Sequence, residues 1–425
     1  MIFANGKIYP SDVQNRLLDA LPEQICNTRE TQTLRCETVI QALDRMSRRI
    51  AAGEFTDRVA DPELRRQIGF AAGRLTQEAL RLKVRTELGD HWEAPHASEP
   101  FPGQPTFTVQ NVPLGVILHI AAGNMDALPA WSVIEGLLTG NINILKLPQA
   151  DKGLTIEFFR MLTEQTPELR DFVYIFDTPS TDIAGIRRLA SLADGISVWG
   201  GDAAVSAVRQ FAPVGCKLIE WGHRLSFCYI SGEPPAEELT ALASHILQTR
   251  QLLCSSCQVI YIDTSAQKDV LDFSEHFLPY LEAAASMHPV SDLGMAAQLT
   301  LRRRVQALES VLSGEVSERR IFQGEHTSVT ACPDSQLELS ELYGNVLVKP
   351  LPRQSLMREL RKSAGYLQTA GLICPAGERA KLTELLIRCG VNRVLPPGRM
   401  SDTFLGESHD GESPLRRYIR TVNLL

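Results

Sequence analysis

The chain lacks several features that would place it in a specialised class of protein. No uncharged apolar run reaches the ~20 residues that a membrane helix requires. The first residues show neither the basic segment nor the apolar core of a signal peptide. A formal net charge of −7 provides no overall basic field to attract nucleic acid. The nine cysteines are scattered and odd in number, which favours a reducing cytoplasm over a disulfide framework. We therefore expect a cytoplasmic protein with no membrane span and no nucleic-acid partner.

The composition is that of an ordinary globular enzyme. Apolar residues make up 44% of the chain and charged residues 22%. A chain of 425 residues is longer than a domain with a single hydrophobic core usually is, so two or three domains are expected. We find no internal repeat and no low-complexity segment.

The first hundred residues show helical patterns. Apolar residues recur at three- and four-residue spacing in 36–52 and 62–88, which predicts a pair of packed helices. Several prolines in 90–108 are typical of a connector.

Buried-strand patterns alternate with helical patterns from residue 112 onward. The strands are predicted at 114–120, 142–147, 172–176, 196–199 and 217–219. The helices are predicted at 127–138, 154–162, 183–192 and 203–211. This alternation predicts a doubly wound parallel sheet, which binds ligands at the carboxyl ends of its strands.

A second α/β unit is predicted after residue 222. It contains strands at 225–230, 259–262 and 346–348, and helices at 239–247 and 270–285. The expected domains are a helical segment packed on the cofactor domain (1–105), a dinucleotide-binding domain (106–222), a catalytic domain (223–395) and a C-terminal tail (396–425).

Three side chains have the chemistry that thioester conversion needs. Cys254 is a thiol able to form a covalent acyl adduct. Asn124 carries an amide that can hold an oxyanion, and Glu220 carries a carboxylate that can move a proton. Asn124 follows the first predicted strand and Glu220 ends the fifth. We find no ligand pattern for a metal.

Cofactor-binding candidates also follow predicted strands. Lys146 closes the second strand, and Gly200-Gly201 end the fourth and open a helix, a position suited to a phosphate.

Three segments form a recognisable set: Pro113-Leu-Gly-Val-Ile-Leu-His-Ile-Ala-Ala-Gly-Asn124, Gly140-Asn-Ile-Asn-Ile-Leu-Lys-Leu147 and Cys254-Ser-Ser-Cys-Gln258. They resemble the LuxC-type acyl-CoA reductases, a family of the aldehyde dehydrogenase superfamily. Glu220-Trp-Gly-His-Arg224 and Glu341-Leu-Tyr-Gly-Asn345 are similar to the superfamily's Glu-Leu-Gly-Gly-Lys and Glu-Ile-Phe-Gly-Pro. The resemblance extends from about residue 112 to the end of the chain.

The resemblance implies an aldehyde-dehydrogenase-like α/β fold and NADPH-dependent reduction of an acyl thioester to an aldehyde. Cys254 would be the nucleophile, Asn124 the oxyanion donor and Glu220 the acid/base. Lys146 would contact the adenosine ribose, and Glu341 the nicotinamide ribose. The acyl donor would be acyl-CoA or an acyl-loaded protein, and the partner an acyl-protein synthetase. Relatives in the superfamily imply a homo-oligomer.

The cofactor can also be argued from local charge. Dehydrogenases that prefer NAD often place a carboxylate near the ribose 2′-hydroxyl. Here Gln149 stands where that carboxylate would be expected, with Lys152 close behind and Asp151 partly offsetting it. We therefore favour NADPH, with NADH as the alternative.

Other interpretations stay open at this stage. The enzyme could instead oxidise aldehydes, or the fold could be an inactive scaffold. Cys254 could be a buried apolar residue, or form a redox pair with Cys257. Glu220 could simply pair with Arg224.

Three further residues have a structural alternative to a functional role. Asn124 could only cap a helix, and Lys146 could be an ordinary solvated lysine. His119 lies inside an apolar strand, which favours a histidine with its hydrogen bonds satisfied in the core.

Overall fold

The computed structural model of the protein divides into two compact units. Unit 1 comprises Met1–Gly222 and Phe404–Leu425, and unit 2 comprises His223–Thr403. The structure describes residues 1–59, 62–121, 127–149, 151, 153–289, 294, 297–301, 304, 305, 308 and 319–425.

Unit 1 is built on a seven-stranded sheet with the order β2-β1-β7-β6-β5-β8-β9. The strands of this unit up to residue 222 are β1 (Ile2–Ala4), β2 (Lys7–Tyr9), β3 (His96–Ala97), β4 (Thr108–Pro113), β5 (Val116–Ile120), β6 (Ile142–Lys146), β7 (Val173–Phe176), β8 (Gly195–Trp199) and β9 (Lys217–Trp221). Strands β7, β6, β5, β8 and β9 are parallel, and β1 joins β7 antiparallel. The predicted parallel sheet is therefore confirmed.

Helices cover both faces of such a sheet, which is why its central strands carry near-continuous apolar runs. The helices of unit 1 before residue 222 are α1 (Gln14–Thr31), α2 (Cys36–Ala51), α3 (Pro62–Gly73), α4 (Gln77–Leu88), α5 (Leu128–Leu138), α6 (Leu154–Gln165), α7 (Ile183–Ala190) and α8 (Asp202–Phe211). Short 3-10 turns lie at Ser11–Val13, Thr56–Arg58 and Pro167–Phe172.

The N-terminal helices share one hydrophobic core with this sheet. Leu43 and Met46 of α2 are fully buried in the same cluster as Ile144 of β6 and Phe159 of α6. The helix predicted over 62–88 is two helices, because the chain turns between α3 and α4. Thr76 begins α4 as its N-cap, and its Oγ1 accepts a hydrogen bond from Ala79 N at 3.4 Å.

Unit 2 contains a second seven-stranded sheet, with the order β12-β13-β14-β11-β10-β15-β16. Its strands are β10 (Leu225–Ile230), β11 (Cys257–Ile262), β12 (Arg320–Gln323), β13 (Ser328–Ala331), β14 (Asn345–Pro350), β15 (Leu367–Ile373) and β16 (Arg393–Leu395). Only β12 runs antiparallel to its neighbour. The helices are α9 (Ala236–Thr249), α10 (Gln267–Met287), α11 (Leu356–Leu360) and α12 (Arg379–Cys389). Short 3-10 turns lie at Arg353–Ser355, Arg361–Ser363, Ala376–Glu378 and Pro397–Arg399.

The last residues return to unit 1 as α13 (Pro414–Arg417) and β17 (Ile419–Leu424). β17 pairs antiparallel with β4, and β4 pairs with β3, which makes a three-stranded sheet. Residues 90–108, predicted as a connector, therefore contain one short strand and lead into another. Within the described residues, no helix has the combined length and hydropathy to cross a bilayer.

Candidate active site

Cys254 lies in the tight loop between α9 and β11 of unit 2, and it is exposed. The loop begins with Arg250 and Gln251, whose φ angles of 52° and 59° are both left-handed. Left-handed backbone costs a non-glycine residue roughly 1–2 kcal/mol, so the surrounding contacts must hold this turn in place. Exposure is inconsistent with the alternative of a buried, apolar cysteine.

Three serines hold the Cys254 loop. Ser226 Oγ, from β10, donates to Cys254 O at 2.6 Å. Ser256 Oγ accepts from Leu253 N at 3.1 Å, and Ser255 Oγ lies 2.8 Å from the hydroxyl of Ser401. The backbone of the thiol-bearing residue is therefore anchored while its side chain stays accessible.

Cys257 has the opposite environment. It is the first residue of β11 and fully buried, and burial raises the pKa of its thiol to about 12. A thiolate is the nucleophilic and redox-active form, so Cys257 is a poor candidate for either role. Among the residues that the structure describes, no cluster of His, Cys, Asp or Glu is arranged to hold a metal ion.

Glu341 lies in a turn that directly precedes β14, and it is exposed. Three consecutive residues after it have left-handed backbone: Leu342, Tyr343 and Gly344, with φ of 62°, 52° and 84°. Tyr343 N donates to Arg250 O at 3.1 Å. The Glu341 turn and the Cys254 loop are thus joined directly through their backbones.

Glu220 lies near the carboxyl end of β9 in unit 1, and its partner is Arg209 of α8. Arg209 Nε donates to Glu220 Oε1 at 2.6 Å and Nη2 donates to Oε2 at 2.7 Å. This bidentate pair lowers the pKa of the Glu220 carboxyl. Arg224 Nη1 donates to Gly365 O at 2.8 Å in unit 2.

Lys146 is the last residue of β6, and it is 5% exposed. Its Nζ donates to Ser180 Oγ at 2.8 Å, and burial lowers the pKa of the ammonium group. It is therefore not an ordinary solvated lysine. Ser180, which follows β7, was not singled out from the sequence.

Gly200 and Gly201 link β8 to α8, and Gly201 is the N-cap of that helix. A Cβ on Gly201 would meet nothing within 4 Å, so open space lies beside this backbone. A ligand phosphate could approach the helix N-terminus closely here. Asp202, in the first turn of α8, is acidic and would oppose such a group.

Lys146, Gly200 and Glu220 all lie at the carboxyl ends of strands of one parallel sheet, the edge at which such sheets bind ligands. Asn124 lies outside the described residues, as does Lys152. Gln149 is exposed just beyond β6.

Two solved structures of aldehyde dehydrogenases share this fold. Glyceraldehyde-3-phosphate dehydrogenase GapN from Methanocaldococcus jannaschii, complexed with NADP, aligns over 98% of this chain and 95% of its own, with a TM-score of 0.70 and 10% identity. A NAD-dependent benzaldehyde dehydrogenase from Corynebacterium glutamicum aligns over 96% and 89%, with a TM-score of 0.67 and 14% identity. The two units together have the aldehyde dehydrogenase fold, as predicted.

The chain belongs to the Acyl-CoA reductase (LuxC) family, whose family model matches residues 32–421. The expectation that the resemblance begins near residue 112 was therefore too narrow, because the match includes α2, α3 and α4. Similar proteins include the long-chain acyl-protein thioester reductase 2 of Photobacterium leiognathi, 23% identical over 74% of this chain and 65% of that protein. The long-chain acyl-protein thioester reductase of Photorhabdus luminescens is 21% identical over 96% and 86%. This chain thus spans just under two thirds of the first of these relatives.

Proposed function

We propose that the protein reduces an acyl thioester to an aldehyde through an acyl-Cys254 intermediate, with NADPH as the reductant. The observation that carries the proposal is the exposed thiol of Cys254 on an anchored loop in a chain of this family. Relatives named long-chain acyl-protein thioester reductases support an acyl group delivered on a protein, and the family's description supports acyl-CoA.

The proposed chemistry at Cys254 is acyl transfer. The thiolate attacks the thioester carbonyl, a new C–S bond forms, the bond to the carrier sulfur breaks, and the carrier leaves as a thiolate that takes a proton from the acid/base group or from water. The oxyanion would be held by the Asn124 amide and by the backbone N–H of Cys254. After hydride reaches the acyl carbon, the thiohemiacetal collapses, which releases the aldehyde and restores the thiolate.

Glu220 would serve as the group that moves a proton. Arg209 keeps the Glu220 carboxyl ionised, so Glu220 could accept a proton, but the same pair lowers its pKa and makes it a weaker base than an ordinary glutamate. Removal of the thiol proton that precedes attack would therefore be favoured by release of Glu220 from Arg209.

The residues present fit a nicotinamide dinucleotide, which supplies hydride when bound. Lys146 Nζ and Ser180 Oγ offer polar contacts for the adenosine ribose. Gly200 and Gly201 would lie beside the pyrophosphate at the N-terminus of α8, where Gly201 leaves open space, and Glu341 would contact the nicotinamide ribose. With Gln149 rather than a carboxylate beyond β6, NADPH is favoured over NADH.

We propose a cytoplasmic homo-oligomer that receives its acyl group from an acyl-CoA or an acyl-loaded protein. The relatives' names, which specify acyl-protein thioesters, support an acyl-loaded protein as the donor, and the family resemblance implies an acyl-protein synthetase as the partner that loads it.

The test is intact-mass spectrometry after exposure to acyl-CoA or acyl-carrier protein without cofactor. The wild-type protein and Cys257→Ser should each gain one acyl mass, whereas Cys254→Ser should gain none. Adding NADPH should remove the acyl mass and yield aldehyde. Aldehyde formation by Cys254→Ser at the wild-type rate would disprove the covalent route.

A second candidate is oxidation of aldehydes with hydrolysis of the acyl intermediate. The ionised carboxylate of Glu220 favours it, because that form can take a proton from water. Incubating the protein with aldehyde and NADP in the absence of CoA separates the two reactions. Rapid acid formation there, with no aldehyde made from acyl-CoA, would favour the oxidative enzyme.

A further inference from the structure

Two buried glutamines lie behind the Cys254 loop, and neither was expected from the sequence to have a role. Gln251 is 1% exposed and Gln258 is 3% exposed. A buried primary amide is costly unless its donor and its acceptor both find partners. The hydrogen-bond partners of these two side chains therefore show which segments of the chain the side chains hold together.

The Gln251 side chain bridges the two segments. Its Nε2 donates to Cys257 O at 3.0 Å, which closes the Cys254 loop across its base. Its Oε1 accepts from Gly344 N at 3.0 Å, in the Glu341 turn. One amide therefore fixes both the shape of the loop and its contact with the neighbouring turn.

The Gln258 side chain makes a second bridge beside the first. Its Nε2 donates to Gln251 O at 2.8 Å. Its Oε1 accepts from Ser340 Oγ at 2.9 Å and from Ser340 N at 3.3 Å. Ser340 Oγ in turn accepts from Leu342 N at 3.1 Å, which supports the first left-handed residue of the Glu341 turn.

The network thus holds two strained bends against each other. Left-handed residues on both sides, Gln251 and Leu342 among them, take an unfavourable conformation. Two hydrogen bonds join the segments at these residues, from Tyr343 N to Arg250 O and from Gly344 N to Gln251 Oε1, and Gln258 adds its bonds to Ser340. Loss of either amide would leave buried groups unpaired and release both bends together.

We propose that Gln251 and Gln258 are positioning residues that hold the Cys254 loop at a fixed separation from the Glu341 turn. The inference rests on the proposed function, which gives these segments the nucleophile and the nicotinamide-ribose contact. Neither glutamine touches the reacting atoms, and each acts through the backbone that it fixes. Because the two glutamines couple the segments, a displacement of one segment should also displace the other.

The test compares Gln251→Met and Gln258→Met with a matched control. Methionine keeps the length of the side chain and removes its hydrogen bonds. Tyr261→Phe is the control, because it removes one partly buried hydrogen bond, to Ser335 O, at the other end of β11. Ser340→Ala removes the hydroxyl of the second bridge, and Ser340→Thr restores it.

Four quantities are measured. They are the pH–rate profile of Cys254 alkylation by iodoacetamide, hydrogen exchange of the peptide 250–258, kcat, and KM for NADPH. Both methionine variants should displace the alkylation profile, speed exchange of that peptide and lower kcat by about 10- to 100-fold, since small misplacements of catalytic groups cost that much. KM for NADPH should also rise in both methionine variants. Ser340→Ala should change these quantities in the same direction, and Ser340→Thr should restore them toward the wild-type values. Tyr261→Phe should match the wild type.

The positioning role would be overturned if Gln251→Met and Gln258→Met matched Tyr261→Phe in alkylation and exchange. Those two measurements need no turnover, so they test the network even if the protein makes no aldehyde. Absence of aldehyde and of acyl-Cys254 in the wild type would instead disprove the proposed function.

Discussion

At the scale of single residues, the motif Cys254-Ser-Ser-Cys257 combines two thiols with different chemistry. One is exposed on a loop, and the other is the first residue of a buried strand. Burial disfavours the thiolate, so spacing alone cannot show which cysteine reacts. The sequence motif identified Cys254 through a family resemblance, and the structure adds the physical reason why Cys257 is unsuited.

The Arg209–Glu220 pair leads to a prediction about acidity. Replacing Arg209 with glutamine removes the bidentate hydrogen bond and the positive charge that are the main causes of the low pKa of Glu220. We expect the pKa of the Glu220 carboxyl to rise toward its ordinary value. A carbon-13 titration of labelled glutamate side chains would measure the shift.

The sign of the accompanying stability effect follows from linkage. A carboxyl whose pKa is lower in the folded state stabilises the fold above its unfolded pKa, and this stabilisation is lost as pH falls through the folded pKa. Arg209→Gln should therefore be less stable than the wild type at neutral pH and converge with it in acid. Arg209→Lys, which keeps a charge, is the control. An unchanged titration of Glu220 would show that the pair does not persist in solution.

At the scale of secondary-structure elements, what could be predicted depended on continuous apolar runs. Strand β15 is buried throughout, yet it was not predicted, because Gln368 and Thr369 interrupt its apolar run. The parallel strands β5 to β9 were predicted to within about two residues, because strands buried on both faces leave continuous apolar runs. Strands β4 and β17 were missed, since their half-exposed sequences, Thr-Val-Gln-Asn-Val-Pro and Ile-Arg-Thr-Val-Asn-Leu, have no such run. Their pairing joins residues about 300 positions apart in the chain, which no local pattern reveals.

In the candidate site, too, only residues marked by a local sequence pattern could be predicted. Lys146 and Glu220 could be located because they fall near strand ends. Ser180, Arg209 and the two glutamines could not, because their importance comes from partners in other elements.

His119, in strand β5, leads to a prediction about how the stability of the fold depends on pH. His119 is fully buried, and its ring nitrogens lie 2.7 Å from Ser132 Oγ and 2.9 Å from Asn143 Oδ1. This confirms the interpretation of a satisfied core histidine. Burial lowers the pKa of His119 to about 4, so the unfolded chain binds a proton that the fold excludes. Stability should therefore fall by about 2 kcal/mol between pH 7 and pH 5 from this residue alone.

Urea unfolding at the two pH values would measure the effect of His119. His119→Gln keeps hydrogen-bonding groups in the strand but does not titrate, so its stability should depend less on pH. His245, whose pKa burial also lowers to about 4, contributes a separate pH dependence that remains in the variant. An equal pH dependence in the variant and the wild type would show that His119 is protonated within the fold.

At the scale of the whole molecule, the chain leaves unit 1 after residue 222 and returns to it near residue 404. The returning segment contributes to the core. Tyr418 is fully buried, its hydroxyl lies 3.0 Å from Ser197 Oγ of β8, and its carbonyl accepts from Leu114 N at 3.1 Å. Unit 1 therefore needs the segment Phe404–Leu425 as part of its core.

Replacing Tyr418 should consequently weaken unit 1 and spare unit 2. Removal of a buried aromatic side chain costs roughly 3–5 kcal/mol, so Tyr418→Ala should lower the urea midpoint of unit 1 strongly. All four tryptophans of the chain precede residue 223, so their fluorescence follows unit 1 selectively. Hydrogen exchange of peptides from β10 and β11 follows unit 2 in the same samples. Tyr418→Phe, which loses only the hydroxyl contact, should cost about 1 kcal/mol. Equal loss of protection in both units would mean that they unfold as a single cooperative body.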